Sequence, residues 1–317
     1  MRLGRTASAS ALAAGTLGAL VSACRASSDY RNIPAKSTRV NRDRYLKMIE
    51  VDHGHRSVAG CRRSDIRRMR DTYAETPGKA NNWLVTFKVL MAFAALNDWR
   101  KDNPSTDVRM LPIGEHEPWP ADVLARALAT ASPMMRLAIV TGLCSGARIG
   151  DVICMQHGWH DGRIMELRAE KNKADVAIPM HPLWLAEIGK VPRTAVTLLY
   201  DRSGKPFSDA KIVQERLRRL MADIGSPTYV SNGQPRLYSF HGLRKNAACY
   251  LAKLRLNDTV IGSICGMTAD TVQHYTKPAS ALMVARGAAD RVTRGTCCPS
   301  KGDARMEARI NATKSAW

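Results

Sequence analysis

The sequence predicts a mainly α-helical protein with two lobes and a small antiparallel β-sheet in the second lobe. Segments with a helical spacing of apolar residues fill positions 38–103. A proline-rich linker follows, and the helical region beyond it contains one stretch of alternating apolar and polar residues, which is typical of a β-hairpin. The 317 residues suffice for two domains with separate cores. The expected division is a helical domain at 15–103, a linker at 104–120, a second domain at 121–291 and a polar tail at 292–317.

Three helices are expected over residues 38–103 of the first lobe. The segment 38–51 is amphipathic, 64–73 is strongly basic, and 80–99 is almost wholly apolar. A helix that is apolar on nearly all sides belongs in a core. The third of these segments therefore predicts the centre of the lobe, with the basic helix on its outside.

Residues 2–24 allow two interpretations. Arg2 and Arg5, a short apolar stretch and then Cys24 imitate a lipoprotein signal. The apolar stretch is mostly Ala and Gly, however, and no stretch of the sequence is long enough to span a bilayer. We favour a short amphipathic helix at about 16–26, with one apolar side formed by Leu17, Leu20, Val21 and Cys24.

The second lobe is expected to begin with a helix, because Pro120 suits a first helical turn. Apolar and polar residues alternate over 164–168 and again near 176–178, with the polar run 170–173 as the hairpin tip. Ser208 is the expected cap of a later helix that Gly225 ends. The other predicted helices cover 121–131, 134–144, 151–155, 241–254, 258–265 and 269–274.

The chain is strongly basic, with a formal net charge of +20. Residues 1–110 hold 20 Lys and Arg against 10 Asp and Glu, and the remainder holds 28 against 18, so both lobes carry the excess. Such residues displace the counterions condensed on a phosphate backbone, which makes nucleic acid the favoured partner. An anionic membrane surface, or solubility alone, is the alternative.

The basic helix is the expected DNA contact of the first lobe. Few acidic residues lie near it in the sequence, although a solvated surface remains the alternative interpretation. The arginines assigned to DNA are Arg62, Arg63, Arg67, Arg68 and Arg70.

Cysteines and histidines give no indication of a metal site. The eight cysteines form no Cys-x-x-Cys pair, and several lie in apolar runs, so we expect buried free thiols in a reducing cytoplasm. The pairs His53-Gly-His55 and His157-Gly-Trp-His160 lack the second ligand pair that zinc needs.

One set of polar residues indicates phosphodiester chemistry. His241-Gly-Leu-Arg244 puts an imidazole and a guanidinium on one face of a predicted helix. Tyr275 follows in the sequence, and Arg148 lies far upstream beside two glycines. Two arginines can hold the non-bridging oxygens of a phosphodiester, and a tyrosine can attack its phosphorus. The set predicts cutting and rejoining of DNA strands without a metal.

These residues resemble the motifs of the tyrosine recombinase, or phage-type integrase, family. The segment 145–152, Ser-Gly-Ala-Arg-Ile-Gly-Asp-Val, looks like the family's first box, and 241–251 looks like the start of its second. Lys171 sits where the family keeps its hairpin lysine, and Tyr275 where it keeps its nucleophile. One His-x-x-Arg motif is a weak signal, but four elements in the family's order, within a resemblance over about 15–291, are a strong one.

The resemblance implies a mechanism through a 3′-phosphotyrosine, with no cofactor and no metal. Lys173, two residues from Lys171, stays open as the alternative general acid and is a further expected DNA contact. The implied roles are phosphate clamp for Arg148 and Arg244, nucleophile for Tyr275, general acid for Lys171, and proton shuttle and phosphate ligand for His241.

One position departs from the family pattern. After Gly266 the family usually has a His or Trp that hydrogen-bonds to the phosphate, and this chain has Met267. A thioether cannot donate a hydrogen bond. Losing one donor to an oxyanion commonly costs on the order of 100- to 1,000-fold in rate. We therefore expect reduced activity or compensation, with a DNA-binding homologue of weakened or lost catalysis as the alternative.

The resemblance also implies the wider role and assembly. The first lobe would be a core DNA-binding domain, and the second a mixed α/β catalytic domain. The expected protein is a site-specific recombinase that integrates or excises a prophage or related mobile element. Its expected partners are double-stranded DNA, further copies in a homotetramer on DNA, and accessory DNA-bending proteins. The expected location is the cytoplasm, at the nucleoid, without a membrane partner.

Overall fold

The computed structural model describes residues 13–33, 35–169 and 175–277. The chain divides into two compact units, Met1–Gly114 and Glu115–Trp317. Within the described ranges, no helix combines the length and the apolar character that crossing a bilayer requires.

The regular elements of the first unit that the structure describes are helices. The fourth helix matches the basic segment of the sequence, and the longest helix matches the apolar segment. Thr16 caps the first helix by accepting a hydrogen bond from the amide of Ala19, and Pro77 stands in the first turn of the longest. The helices are α1 (Leu17–Ala26), α2 (Ser28–Arg31), α3 (Lys36–His53), α4 (Arg63–Asp71) and α5 (Pro77–Leu96).

Helix α5 forms the centre of the first core, as its apolar sequence predicts. Trp83 and Phe87 are fully buried, and their rings stack with centroids 4.8 Å apart. Leu96, at the end of the helix, is exposed instead. Helix α1 confirms the helical interpretation of 16–26. Its buried side chains join the same core and are Leu17, Leu20, Val21 and Cys24.

Helix α4 departs from the prediction at one arginine. Arg70, expected on the outside, is buried, and its guanidinium donates to the carbonyl of Arg109 and pairs with Asp71. The acceptor lies 39 residues away on a loop that the sequence pattern could not place against α4. The prediction that Arg70 lies outside is therefore wrong.

The remaining arginines of α4 are exposed, but they have acidic neighbours that the sequence analysis underrated. Arg62 precedes the helix and takes part in a capping box with Asp65. Exposed ion pairs of this kind contribute little to stability and leave the arginines able to exchange partners. The pairs are Arg63 with Asp107, Arg67 with Asp71, and Arg68 with Asp65.

The second unit combines helices with two small hairpins. Residues 269–277, the last of the described part, are also helical and are called helix 269–277 below. The helices are α6 (Ala121–Thr130), α7 (Pro133–Ser145), α8 (Ile149–Cys154), α9 (Pro182–Gly189), α10 (Ala210–Asp223), α11 (Phe240–Lys253) and α12 (Asp258–Cys265), with a 3₁₀ turn at His157–Trp159. The strands are β1 (Ile164–Arg168), β2 (Asp175–Pro179), β3 (Tyr229–Ser231) and β4 (Gln234–Arg236).

Strands β1 and β2 confirm the predicted hairpin. They pair antiparallel from Ile164 opposite Pro179 to Arg168 opposite Asp175. Met165 and Ile178 are almost fully buried, while their neighbours along each strand are exposed, as alternation requires. The predicted tip lies outside the described residues, and with it Lys171 and Lys173.

Helix α7 is the centre of the second core and sets the position of α11. A Cβ on Gly142 would come within 2.5 Å of Cζ of Phe240, so glycine permits the close approach of the two helices. On another side of α7, the indole of Trp184 in α9 donates to the hydroxyl of Thr141 at 2.9 Å. This packing fixes α11, which carries the His241 motif.

Two details of the second unit differ from the sequence analysis. The cap of α10 is Asp209, whose carboxylate accepts from the amide of Lys211, and the expected cap Ser208 is wrong by one residue. The hairpin β3–β4 was missed because its strands are only three residues each. Its turn, Asn232-Gly233, has both residues at positive φ and is a recognisable hairpin signal.

Candidate active site

The N-terminal part of α11 carries the predicted imidazole and guanidinium. Gly242 lies between them, where a Cβ would come within 2.4 Å of the carbonyl oxygen of Glu117. The backbone just after the start of the second unit therefore lies directly against α11. Trp119 strengthens this contact, because its amide donates to Asn246 at 2.7 Å and its indole to the carbonyl of Ser239 at 2.8 Å.

Arg244 is buried and held by backbone carbonyls. Its guanidinium donates to the carbonyls of Gly146 and Cys265, and to that of Gly266 at 2.9 Å. Gly146 ends α7 and Gly266 ends α12, and both have left-handed backbones, with φ of 60° and 61°. Burial, and then the positive charge of Arg148, lower the pKa of Arg244, but an arginine stays protonated in proteins.

Arg148 brings a second guanidinium to the same place. It stands at the N-terminal boundary of α8, is half-buried, and points Nη2 toward the carbonyl of Gly266 at 3.5 Å. Both arginines thus converge on one carbonyl from separate helices. Two guanidinium groups at such close range repel each other, so an anion placed between them would stabilise both.

Tyr275 reaches this site from helix 269–277. Its hydroxyl lies 2.8 Å from Nε2 of His241, and the two rings meet edge to face with centroids 5.9 Å apart. Nζ of Lys245 lies 5.1 Å from the centroid of the tyrosine ring. The half-buried ring also packs on the small apolar cluster between α11, α12 and helix 269–277. The phenol therefore meets the His241 motif within one unit of one chain.

The surroundings of His241 disfavour its charged form. Desolvation lowers its pKa most, although part of the residue is exposed. His116, with its ring centroid 5.0 Å away, and the cations Arg244, Lys245 and Arg148 lower it further, to about 4. The imidazole is therefore neutral at pH 7, and one ring nitrogen can accept a proton.

Met267 follows directly after Gly266. Its amide donates to the carbonyl of Gly262 at 2.8 Å, which fixes the backbone beside the arginines. Its side chain is half-buried and packs on the same apolar cluster as Tyr275. The thioether acts here as a packing group beside the candidate anion site.

The segment at the start of the second unit contributes side chains to this site that no sequence pattern indicated. Glu115 accepts from Lys245 and His274, and His116 shares a hydrogen bond of 2.9 Å with the hydroxyl of Ser239. The sequence pattern assigned this segment to the linker 104–120, which gave its side chains no role. Their partners lie more than 120 residues further along the chain, so no local pattern could have shown the contacts.

The structure therefore brings Arg148, His241, Arg244 and Tyr275 together, with Met267 on the adjoining loop. Lys171 and Lys173 lie outside the described residues. In the described ranges, no group of three or more His, Cys, Asp or Glu side chains could hold a metal ion.

The fold is similar to those of solved integrases. A λ integrase dimer bound to a COC′ core site is 17% identical, with a TM-score of 0.70, over 82% of this chain and 77% of that chain. A λ integrase tetramer bound to a Holliday junction gives the same values. The Tn1549 transposon integrase (residues 82–397) with circular intermediate DNA is 17% identical, with a TM-score of 0.63, over 82% of this chain and 94% of that chain.

These likenesses define the class of fold. The chain has the fold of the tyrosine recombinases, to which both integrases belong, and the resemblance seen in the sequence is confirmed at that level. No protein-family model matches the chain, and no curated protein matches it.

Proposed function

We propose that the protein is a tyrosine-type site-specific recombinase, which cuts and rejoins DNA through a 3′-phosphotyrosine. The observation that carries the proposal is the 2.8 Å contact between the hydroxyl of Tyr275 and His241, one helical turn from the buried guanidinium of Arg244. A phenol, a neutral imidazole and two converging arginines fit an in-line displacement at a phosphodiester.

In this proposal the arginines bind the scissile phosphate. Arg244 cannot move far, because three carbonyls hold it, and Arg148 approaches the same carbonyl of Gly266. A planar guanidinium can donate to two oxygens of one phosphate, so the pair neutralises the charge that develops on the non-bridging oxygens.

The nucleophilic step starts from the existing contact. Oη of Tyr275 gives its proton to Nε2 of His241 and forms a bond to phosphorus, while the bond from phosphorus to the 5′ oxygen breaks. The leaving 5′ oxygen takes a proton from Lys171, with Lys173 as the alternative donor. Rejoining runs the same steps in reverse, with the 5′ hydroxyl as nucleophile, so no external energy source is required.

The low pKa of His241 is expected to rise when DNA binds. A bound phosphate places negative charge beside the imidazole, and a nearby anion favours the protonated form. The higher pKa makes His241 a stronger base once the substrate is bound. The proton that it takes from Tyr275 is then shared with the phosphate oxygens.

The wider role extends the proposal to DNA binding and assembly. The exposed arginines of α4 and the excess of positive charge in both halves of the chain fit a phosphate backbone. The similar λ integrase was solved as a dimer bound to a core site and as a tetramer bound to a Holliday junction. We extend the proposed function to self-association of the protein on duplex DNA and to integration or excision of a mobile element.

The test is trapping of the covalent intermediate. The protein is incubated with a pool of duplexes that have a randomised central segment and a nick that releases a short leaving strand. A protein–DNA adduct that survives denaturation is expected, and the trapped DNA identifies the preferred site. The adduct is expected to vanish in Tyr275→Phe and to persist in Tyr250→Phe, which removes an exposed phenol from α11.

Two outcomes contradict the proposal. An adduct that survives in Tyr275→Phe would assign the nucleophile elsewhere. Tight binding of the pool without any adduct would favour the alternative of a DNA-binding homologue without catalysis, which the thioether of Met267 also favours.

A further inference from the structure

Glu115 joins the two helices on either side of the nucleophile. One oxygen of its carboxylate, Oε2, accepts from Nζ of Lys245 and from Nε2 of His274, each at 3.0 Å. Lys245 belongs to α11, and His274 immediately precedes Tyr275 on helix 269–277. A single carboxylate from the start of the second unit therefore links the helix of the proposed base to the helix of the proposed nucleophile.

The two partners of Glu115 differ in their exposure. The side chain of Lys245 is only 9% exposed, so its ammonium depends on Glu115 for compensation of its charge. The side chain of His274 is 55% exposed, and its contact is an ion pair only when the imidazole is protonated. The strong contact thus fixes Glu115 on α11, and the exposed contact ties helix 269–277 to that fixed point.

Lys245 extends the link to the phenol itself. Its Nζ lies over the ring of Tyr275, 5.1 Å from the centroid, while it is bonded to Glu115. Glu115 therefore determines where this cation lies, and the cation in turn contacts the tyrosine ring. Hydrogen bonds from Lys245 and His274 hold the pKa of Glu115 below its usual range, so the carboxylate is ionised at neutral pH.

We infer that Glu115 is a positioning residue of the strand-transfer reaction. It holds the hydroxyl of Tyr275 beside His241 by bonding to both His274 and Lys245. The inference rests on the proposed function. The carboxylate of Glu115 bonds to Lys245 and His274, and in this inference it acts on the phenol through these two partners. A misplacement of the attacking group by about 1 Å can cost on the order of 100-fold in rate. The hydrogen bonds of Glu115 therefore control the rate without contributing to DNA affinity.

The first test separates positioning from DNA binding. Glu115→Gln is expected to slow adduct formation at saturating DNA by about tenfold or more, with an unchanged or slightly lower Kd because a negative charge is removed. His274→Gln is expected to act in the same direction and to add nothing in the Glu115→Gln background. Glu117→Gln, which removes the same charge from an exposed site two residues away, is the matched control and is expected to keep the wild-type rate.

The second test needs no activity. Hydrogen exchange measured by mass spectrometry is expected to speed up over helix 269–277 in Glu115→Gln and His274→Gln, and to stay unchanged in Glu117→Gln. His274→Gln leaves Lys245 paired, so it remains informative if Glu115→Gln destabilises the fold. His274→Lys, which keeps a cation opposite Glu115, is expected to retain the slow exchange and the rate.

The outcomes for the two proposals are distinct. Unchanged exchange over helix 269–277 in both Glu115→Gln and His274→Gln overturns the positioning role, whatever the activity. If the wild-type protein forms no adduct but the variants show the expected changes in hydrogen exchange, the proposed function is contradicted. The link that Glu115 makes between the two helices is then still supported. A wild-type rate of adduct formation in Glu115→Gln overturns only the inference on Glu115.

Discussion

The hydroxyl of Tyr275 and Nε2 of His241 lie 2.8 Å apart, although 34 residues separate them in the chain. A proton donor and a neutral acceptor are therefore in contact before any DNA is present. Both belong to the unit that also holds Arg244. The proposed nucleophile is thus expected to act on a phosphate bound by its own subunit.

The pKa of His241 predicts a dependence of stability on pH. In the folded protein the pKa is about 4, against 6.5 for an ordinary histidine. Between these two values the unfolded chain binds the additional proton, so the free energy of unfolding falls as the pH falls through this window. The fall is expected to be smaller in His241→Gln, measured as Tm against pH.

The same shift can be observed directly. NMR titration of the imidazole is expected to give a pKa well below 6.5, and His116→Ala is expected to raise it, because His116 has the largest effect on this pKa after desolvation. An ordinary titration of His241 in the wild type would contradict the electrostatic account of the site.

The two arginines are expected to differ in their effect on stability. Arg244→Ala leaves the carbonyls of Gly146, Cys265 and Gly266 without their donor and is expected to lower the free energy of unfolding by about 2–4 kcal/mol. Arg148→Ala is expected to cost less than about 1 kcal/mol, because Arg148 is half-buried and its contact with the carbonyl of Gly266 is long, at 3.5 Å. Both are expected to abolish adduct formation. Urea unfolding measures the difference, and equal costs would show that Arg244 is not held as described.

Met267 provides a gain-of-function prediction. Met267→His adds a hydrogen-bond donor beside the carbonyl that both arginines approach, and one donor to an oxyanion is commonly worth on the order of 100-fold in rate. We expect faster adduct formation at an unchanged Kd, while Met267→Leu, which keeps only the packing, is expected to match the wild type. A histidine variant no faster than the leucine variant would mean that another group supplies the donor.

The arginines of α4 are expected to differ in role: the exposed ones bind DNA, and the buried one stabilises the fold. Arg67→Ala and Arg68→Ala are expected to weaken binding to all duplex sequences alike, and to reduce the slope of log Kd against log salt by about one for each phosphate that is no longer neutralised. Arg70→Ala is expected to lower Tm instead, because its guanidinium is buried against the carbonyl of Arg109. Unchanged salt dependence in the first two variants would remove α4 from the DNA interface.

Much of the local structure could be predicted because its causes are local. Alternation over 164–168 sufficed for the hairpin, and the helix at 258–265 was predicted with the bounds that the structure has. Both features depend on periodicity and on neighbouring residues, which a single sequence displays. The grouping of Tyr275 with His241 and Arg244 rested instead on the chemistry of these residue types and on the resemblance to the recombinase family.

The rest depends on contacts between distant parts of the chain. The burial of Arg70 follows from a carbonyl on a loop 39 residues away, and the role of Glu115 follows from Lys245, 130 residues away. A charged residue in a basic or proline-rich stretch looks solvated until its partner is known. Sequence patterns therefore indicated the proposed reacting groups but not the carboxylate of Glu115, which joins their helices.

The carbonyls of Gly146 and Gly266 have a consequence for the potential at the site. Each belongs to the end of a helix, where peptide dipoles accumulate a partial negative charge. These ends stabilise the guanidinium of Arg244 inside the protein through neutral groups, so the hydrogen bonds that hold it do not cancel its full charge. The site consequently remains electropositive, and we expect sulfate or pyrophosphate in the buffer to compete with DNA for it.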